Sequence, residues 1–92
     1  MSTNGAGQIY WHKEEPMRRA AQIPGLRLVV ECSWQRWACT RRWGWAVYDQ
    51  EGKRLAGSNP MRFGGPMRAI GGCVGYLRAC HPAALEEALR GG

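Results

Sequence analysis

The 92-residue chain contains no stretch approaching 18 consecutive apolar residues, which excludes a membrane-spanning helix and predicts no membrane partner. Acids are scarce: seven Asp and Glu stand against thirteen Lys and Arg, for a net charge of +6. Between Gly52 and Leu85 there is no acid at all, while Lys53, Arg54, Arg62, Arg68 and Arg78 all fall there. Six of the seven carboxylates, Glu14, Glu15, Asp49, Glu51, Glu86 and Glu87, sit near turns and ends, the seventh being Glu31, and no pair is placed for acid–base work. There is no Ser/His/Asp or Cys/His arrangement in a recognisable context, so no catalytic residue is assigned and the expectation is a protein that is not an enzyme. Repeats and low-complexity tracts are also missing. The opening Met-Ser-Thr-Asn-Gly-Ala-Gly-Gln is polar, which predicts no secretory leader, a cytoplasmic protein and reduced cysteines.

What is present is arginine and tryptophan. Arginines outnumber lysines eleven to two. Two readings stay open for that bias: an anionic partner, or the codon usage of a GC-rich gene. Four of the five tryptophans lie in Trp34-Gln-Arg-Trp-Ala-Cys-Thr-Arg-Arg-Trp-Gly-Trp45, a window with three arginines and no acid. A chain of this length forms one domain and buries roughly 60–65% of its unfolded surface, so these rings are either core or working surface.

Residues 1–8 read as a flexible tail and residues 9–92 as a single α+β domain. Glu14 to Gln22 fits a short helix, with Pro16 in its first turn and Ile23-Pro-Gly25 as its stop. From Leu26 to Trp34 apolar and polar residues alternate, the signature of a half-buried strand. Gln35 to Arg41 is the expected connection, and Trp43, Trp45 and Val47 mark the inward face of a second strand. Asp49-Gln-Glu-Gly52 reads as a hairpin turn with Gly52 at positive φ, followed by a short third strand from Lys53 to Ser58. Pro66 opens a helix to about Cys80, broken by His81-Pro82, and Ala83 to Arg90 forms a terminal helical turn or two. The predicted fold is a three-stranded antiparallel sheet with a helix packed across it and short helices at either end. Trp34, Trp43 and Trp45 are assigned to the core and Trp37 to the surface.

On the main helix, Met67, Ile70, Val74 and Leu77 form an apolar stripe, with Arg68, Gly71, Gly72 and Gly75 gathered opposite. A helical glycine costs about 1 kcal/mol relative to alanine. The glycine face therefore reads either as the site of a close backbone or ring approach, or as glycine tolerated at no benefit. Cys32/Cys39 and Cys73/Cys80 share a spacing of seven. Structural zinc sites use pairs two to four residues apart, so buried or incidental cysteine is preferred over a zinc or redox role, and no metal or other cofactor is assigned. Gly64-Gly65-Pro66 before a helix is compatible with phosphate binding but lacks a Lys-Ser/Thr signature.

The run Arg42-Trp-Gly-Trp-Ala-Val-Tyr-Asp-Gln-Glu-Gly-Lys-Arg-Leu-Ala-Gly-Ser58, continued by Phe63, Ala69 and Cys73, resembles the YegP-like family of small bacterial domains over residues 42–80. In that family an aromatic strand, a turn glycine, a strand ending in Ser, an aromatic residue and a helix follow one another, at Trp43 or Trp45, Gly52, Leu55, Ser58, Phe63 and Ala69 here. The family's aliphatic helix position falls on Cys73, and Glu51 stands where its usual turn Asn would be. The resemblance implies a sheet-plus-helix unit and supplies no catalytic residues.

Binding is then the expected role. The candidate contact residues are Arg36, Trp37, Arg41, Arg42, Arg54, Arg62 and Arg68, with Arg36, Trp37, Arg41 and Arg42 on a projecting loop. Tryptophan and arginine are the residue types enriched in protein hot spots, which predicts an acidic protein surface or a nucleoprotein complex as partner. The class is that of small phage or mobile-element accessory factors, including anti-CRISPR-like inhibitors. The alternative is direct binding of DNA or RNA, with arginines on phosphates and tryptophan stacked on unpaired bases.

Overall fold

The computed structural model describes residues 9–35, 39–58 and 63–91. Its elements are β1 (His12–Glu15), β2 (Arg18–Ile23), β3 (Leu26–Gln35), β4 (Thr40–Asp49), β5 (Arg54–Gly57), α1 (Pro66–Cys80) and α2 (Pro82–Gly91). The strands form one antiparallel meander in the order β1-β2-β3-β4-β5. The class is α+β, but the sheet has five strands rather than three and is followed by two C-terminal helices. The flexible tail expected at residues 1–8 lies outside the described residues.

The expected helix over residues 14–22 is instead a β-hairpin. Pro16 is compatible with a helix start and equally with the first corner of a turn, and here it sits in the turn between Glu15 and Arg18, which pair. Likewise Ile23-Pro-Gly25 does not end a helix: Ile23 pairs with Leu26, and Gly25 takes φ 78° in the Pro-Gly pattern of a type II turn. Ala20 and Ala21, good helix formers, are fully enclosed on opposite faces of β2, so pairing and burial override local propensity. The Asp49 turn is as the sequence predicts. Gly52 adopts φ 87°, the amide of Asp49 donates to the Lys53 carbonyl at 2.9 Å, and Asp49 Oδ1 accepts from the amides of Glu51 and Lys53. A three-residue loop closed by a left-handed glycine is a standard hairpin connection.

Both helices cover one face of the sheet. The core joins Ala21, Ile23, Leu26, Leu28 and Val47 of the strands to Cys73 and Leu77 of α1 and Leu85 of α2. The buried residues of α1 are Ala69, Cys73 and Leu77, of which Leu77 belongs to the predicted Met67-Ile70-Val74-Leu77 stripe. Of that stripe only Leu77 is buried; Ile70 and Val74 are half-buried and Met67 is 71% exposed. The difference arises because bulk dominates a hydrophobic pattern while close packing favours small residues. Ala69, Gly72 and Cys73 let the helix backbone settle onto the aromatic surface of β4.

Gly72 is the tightest point of this approach. A Cβ there would stand 2.9 Å from both Phe63 Cζ and Trp45 Nε1, whereas Gly71 and Gly75 have nothing within 4 Å. The glycine face therefore divides: one member admits two rings from the same chain, and two face open space. Alanine substitution should separate them. Gly71→Ala and Gly75→Ala should each stabilise by about 0.5–1 kcal/mol through helix propensity. Gly72→Ala should destabilise, because overpacking by about 1–3 kcal/mol exceeds the same gain. Denaturant melts of the three variants give the comparison.

Candidate binding surface

The sheet is longer than its cover. Strands β3 and β4 pair without interruption from Leu26↔Asp49 to Gln35↔Thr40. Ten strand residues span about 33 Å, while the fifteen residues of α1 span about 22 Å. Even lying along the strand, the helix cannot reach its end. Burial along the helix-facing side of β3 follows this limit: Leu26, Leu28 and Val30 are buried, Cys32 is half-buried and Trp34 is 61% exposed. Trp34 pairs directly with the exposed Arg41, so ring and guanidinium share one face at the free end of the hairpin.

This placement corrects two expectations. Trp34 continues the alternation of the core strand yet is not core. Arg41 and Arg42 belong to β4, which begins at Thr40, and not to a loop. Trp43 and Trp45 are half-buried, and Trp45 packs against the core as the sequence predicts. Trp43 is held by a bridge in which its amide donates to the Phe63 carbonyl at 2.7 Å and that of Phe63 donates back at 3.0 Å. Trp45 is fixed by Ser58: the Trp45 amide donates to Ser58 Oγ and the Ser58 amide to the Trp45 carbonyl, both at 2.9 Å.

The remaining predicted contact residues are dispersed. Arg42, paired with Ser33, points to the opposite sheet face, where its guanidinium approaches Gly64. Its Nε is buried and has no hydrogen-bond partner among the described residues, so this arginine is partly a packing element. Arg54 lies on the same open face, folded over Gly57, where a Cβ would collide with the guanidinium. With Tyr48, Glu31 and Gln35 it borders a shallow depression of about 260 Å³ over Gly44 and Ala46. Arg68 is exposed in the first turn of α1. Arg36, Trp37 and Arg62 lie outside the described residues.

Charge on the open face is largely neutralised near its N-terminal edge. Arg27 donates to both oxygens of Glu14 at 2.9 and 2.8 Å, and this hydrogen bonding holds the Glu14 carboxyl below its ordinary value. Arg18 donates to Glu31 at 2.9 and 3.2 Å, which raises its own pKa. These pairs engage Glu14 and Glu31 on the strands β1 to β3. Arg41 has no such carboxylate partner among the described residues.

Around Gly72 an aromatic row continues along α1. The rings of Trp45 and Tyr76 lie 5.2 Å apart, those of Tyr76 and His81 5.4 Å apart, and Tyr76 Oη is hydrogen-bonded to His81 Nε2 at 3.1 Å. Burial pushes the Tyr76 pKa up. The row anchors the C-terminal end of α1, where the His81 amide donates to the Leu77 carbonyl. Among the described residues no group of three or more His, Cys, Asp or Glu is placed to hold a metal ion. No described helix is long and apolar enough to cross a membrane.

The four cysteines form no disulfide and sit in different settings. Cys73 is buried, Cys32 is half-buried, and Cys39 and Cys80 are exposed. Desolvation pushes the Cys73 thiol up to about 12. At pH 8 it is therefore protonated and shielded, and alkylation with iodoacetamide followed by peptide mass spectrometry should label Cys39 and Cys80 while leaving Cys73 unmodified until denaturant is added.

No family model, curated protein or solved structure matches this chain.

Proposed function

We propose that the protein is a non-enzymatic binding module that engages a macromolecular target through the free end of the β3–β4 hairpin. The observation that carries this reading is Trp34, 61% exposed beside Arg41 on a paired strand. An exposed tryptophan on a paired strand offers a large contact area with little conformational entropy to lose, and an adjacent guanidinium with no carboxylate partner among the described residues selects a negative partner. The favoured partner is an acidic protein surface or a nucleoprotein complex. Modulation of such a target by occlusion, in the manner of a small phage-borne anti-defence inhibitor, suits a chain with one domain and a basic, aromatic end.

A second reading is direct binding of single-stranded nucleic acid. The same Trp34–Arg41 pair favours it, since a ring that stacks beside a cation that meets phosphate is the minimal unit of such a site. Salt separates the two. The first reading expects no association with fluorescein-labelled single-stranded DNA or RNA at 50 mM salt, whereas the second expects binding that weakens steeply as salt rises.

The mutational test is Trp34→Ala combined with Arg41→Glu. Both positions are exposed, so the melting curve should stay within about 0.5 kcal/mol of the parent. Affinity for the target recovered by affinity purification from the host should fall about 30-fold or more, the scale of a truncated hot spot with a reversed charge. Full retention of that target by a natively folded double variant would show that the hairpin end is not the contact surface.

A further inference from the structure

The apolar stripe that the sequence marks as core lines an open groove between α1, α2 and the segment ahead of β1. Ile70 and Val74 of α1, Leu85 and Leu89 of α2, and Ile9 and Trp11 ahead of β1 form its walls, around a space of about 520 Å³. Met67, 71% exposed, stands at one end. Among the described residues its charged members are Arg19 from β2 and Arg78 from α1, and no acid lines it. Neither arginine has a carboxylate partner among the described residues.

The sequence places Met67, Ile70, Val74 and Arg78 on successive turns of one helix face. The span from Met67 to Arg78 is about 16 Å, or three helical turns. An apolar trough of that length flanked by positive charge complements a helix with apolar residues on one face and carboxylates beside them. We propose that this groove docks an acidic amphipathic helix of a partner protein, with aliphatic side chains against Ile70 and Val74 and carboxylates on Arg19 and Arg78. The groove uses neither Trp34 nor Arg41, so it is a second contact surface, independent of the hairpin end.

The test uses a synthetic helical peptide of about twelve residues, with Leu at i, i+3, i+4 and i+7 and Glu on the flanking positions. Binding is read by anisotropy of the labelled peptide and by the Met67 methyl resonance in methionine-labelled protein. The expected result is a shifted Met67 signal and saturable binding that weakens about tenfold or more in Arg19→Glu/Arg78→Glu. Met67→Glu, at an exposed position, should reproduce the loss without disturbing the core, and Trp34→Ala should leave the affinity unchanged. Failure of the peptide to move the Met67 signal at millimolar concentration would overturn the proposal. So would equal binding of a peptide with Lys in place of Glu, or retained affinity in both groove variants. Self-association that covers Met67 without peptide would reassign the groove to a second copy of the chain.

Discussion

The close seating of α1 on the β3–β4 ladder is the constraint on which the rest of the molecule depends. Ala69, Gly72 and Cys73 place almost no side-chain volume between helix and sheet, so the rings of Phe63 and Trp45 pack against the helix at Gly72. That contact fixes the rotation of α1 about its axis. Leu77 is turned inward, Ile70 and Val74 are turned toward α2 and the Ile9–Trp11 segment, and Met67 is left in solvent. Protein interiors are close-packed, so a helix that can approach this near gains contact along its whole small-residue side.

Two surfaces follow from one helix position. Because α1 is shorter than the strands beneath it, the far end of the β3–β4 hairpin is uncovered, and residues in phase with the core emerge there as Trp34 and Arg41. Because its bulky side faces sideways, the space between α1, α2 and the N-terminal segment becomes an apolar trough with arginines but no acids among the described residues. The basic excess of the chain is thus divided. Arg18 and Arg27 are matched by Glu31 and Glu14 on the open sheet face, whereas Arg19, Arg41 and Arg78 lack carboxylates among the described residues.

Much of the architecture was legible in local pattern. Period-two alternation located β3, the left-handed glycine located the β4–β5 turn, and Pro66 with His81-Pro82 bracketed α1. The failures share a cause. Glu14 to Gln22 carries a proline, acids and alanines that satisfy a helix start, yet its partner is β3, thirteen residues away between Arg18 and Glu31. Only pairing with that strand decides between the two local options. Trp34 was misread because alternation identifies a face without saying how far the covering layer extends. The lengths of β3 and α1 held a clue, since the strand spans more than the helix can shield.

The sequence by itself determined the class, the central hairpin, the main helix and the excess of positive charge, because each depends on neighbours within a few residues or on simple counts. The tertiary structure alone decided which residues are surface. Exposure depends on where a second element ends and how it is rotated, and rotation was set by the small residues that hydrophobic pattern weighs least. Trp34 passed from core to surface, Met67 and Ile70 from core to groove, and Cys73 was enclosed with Ala69 and Leu77.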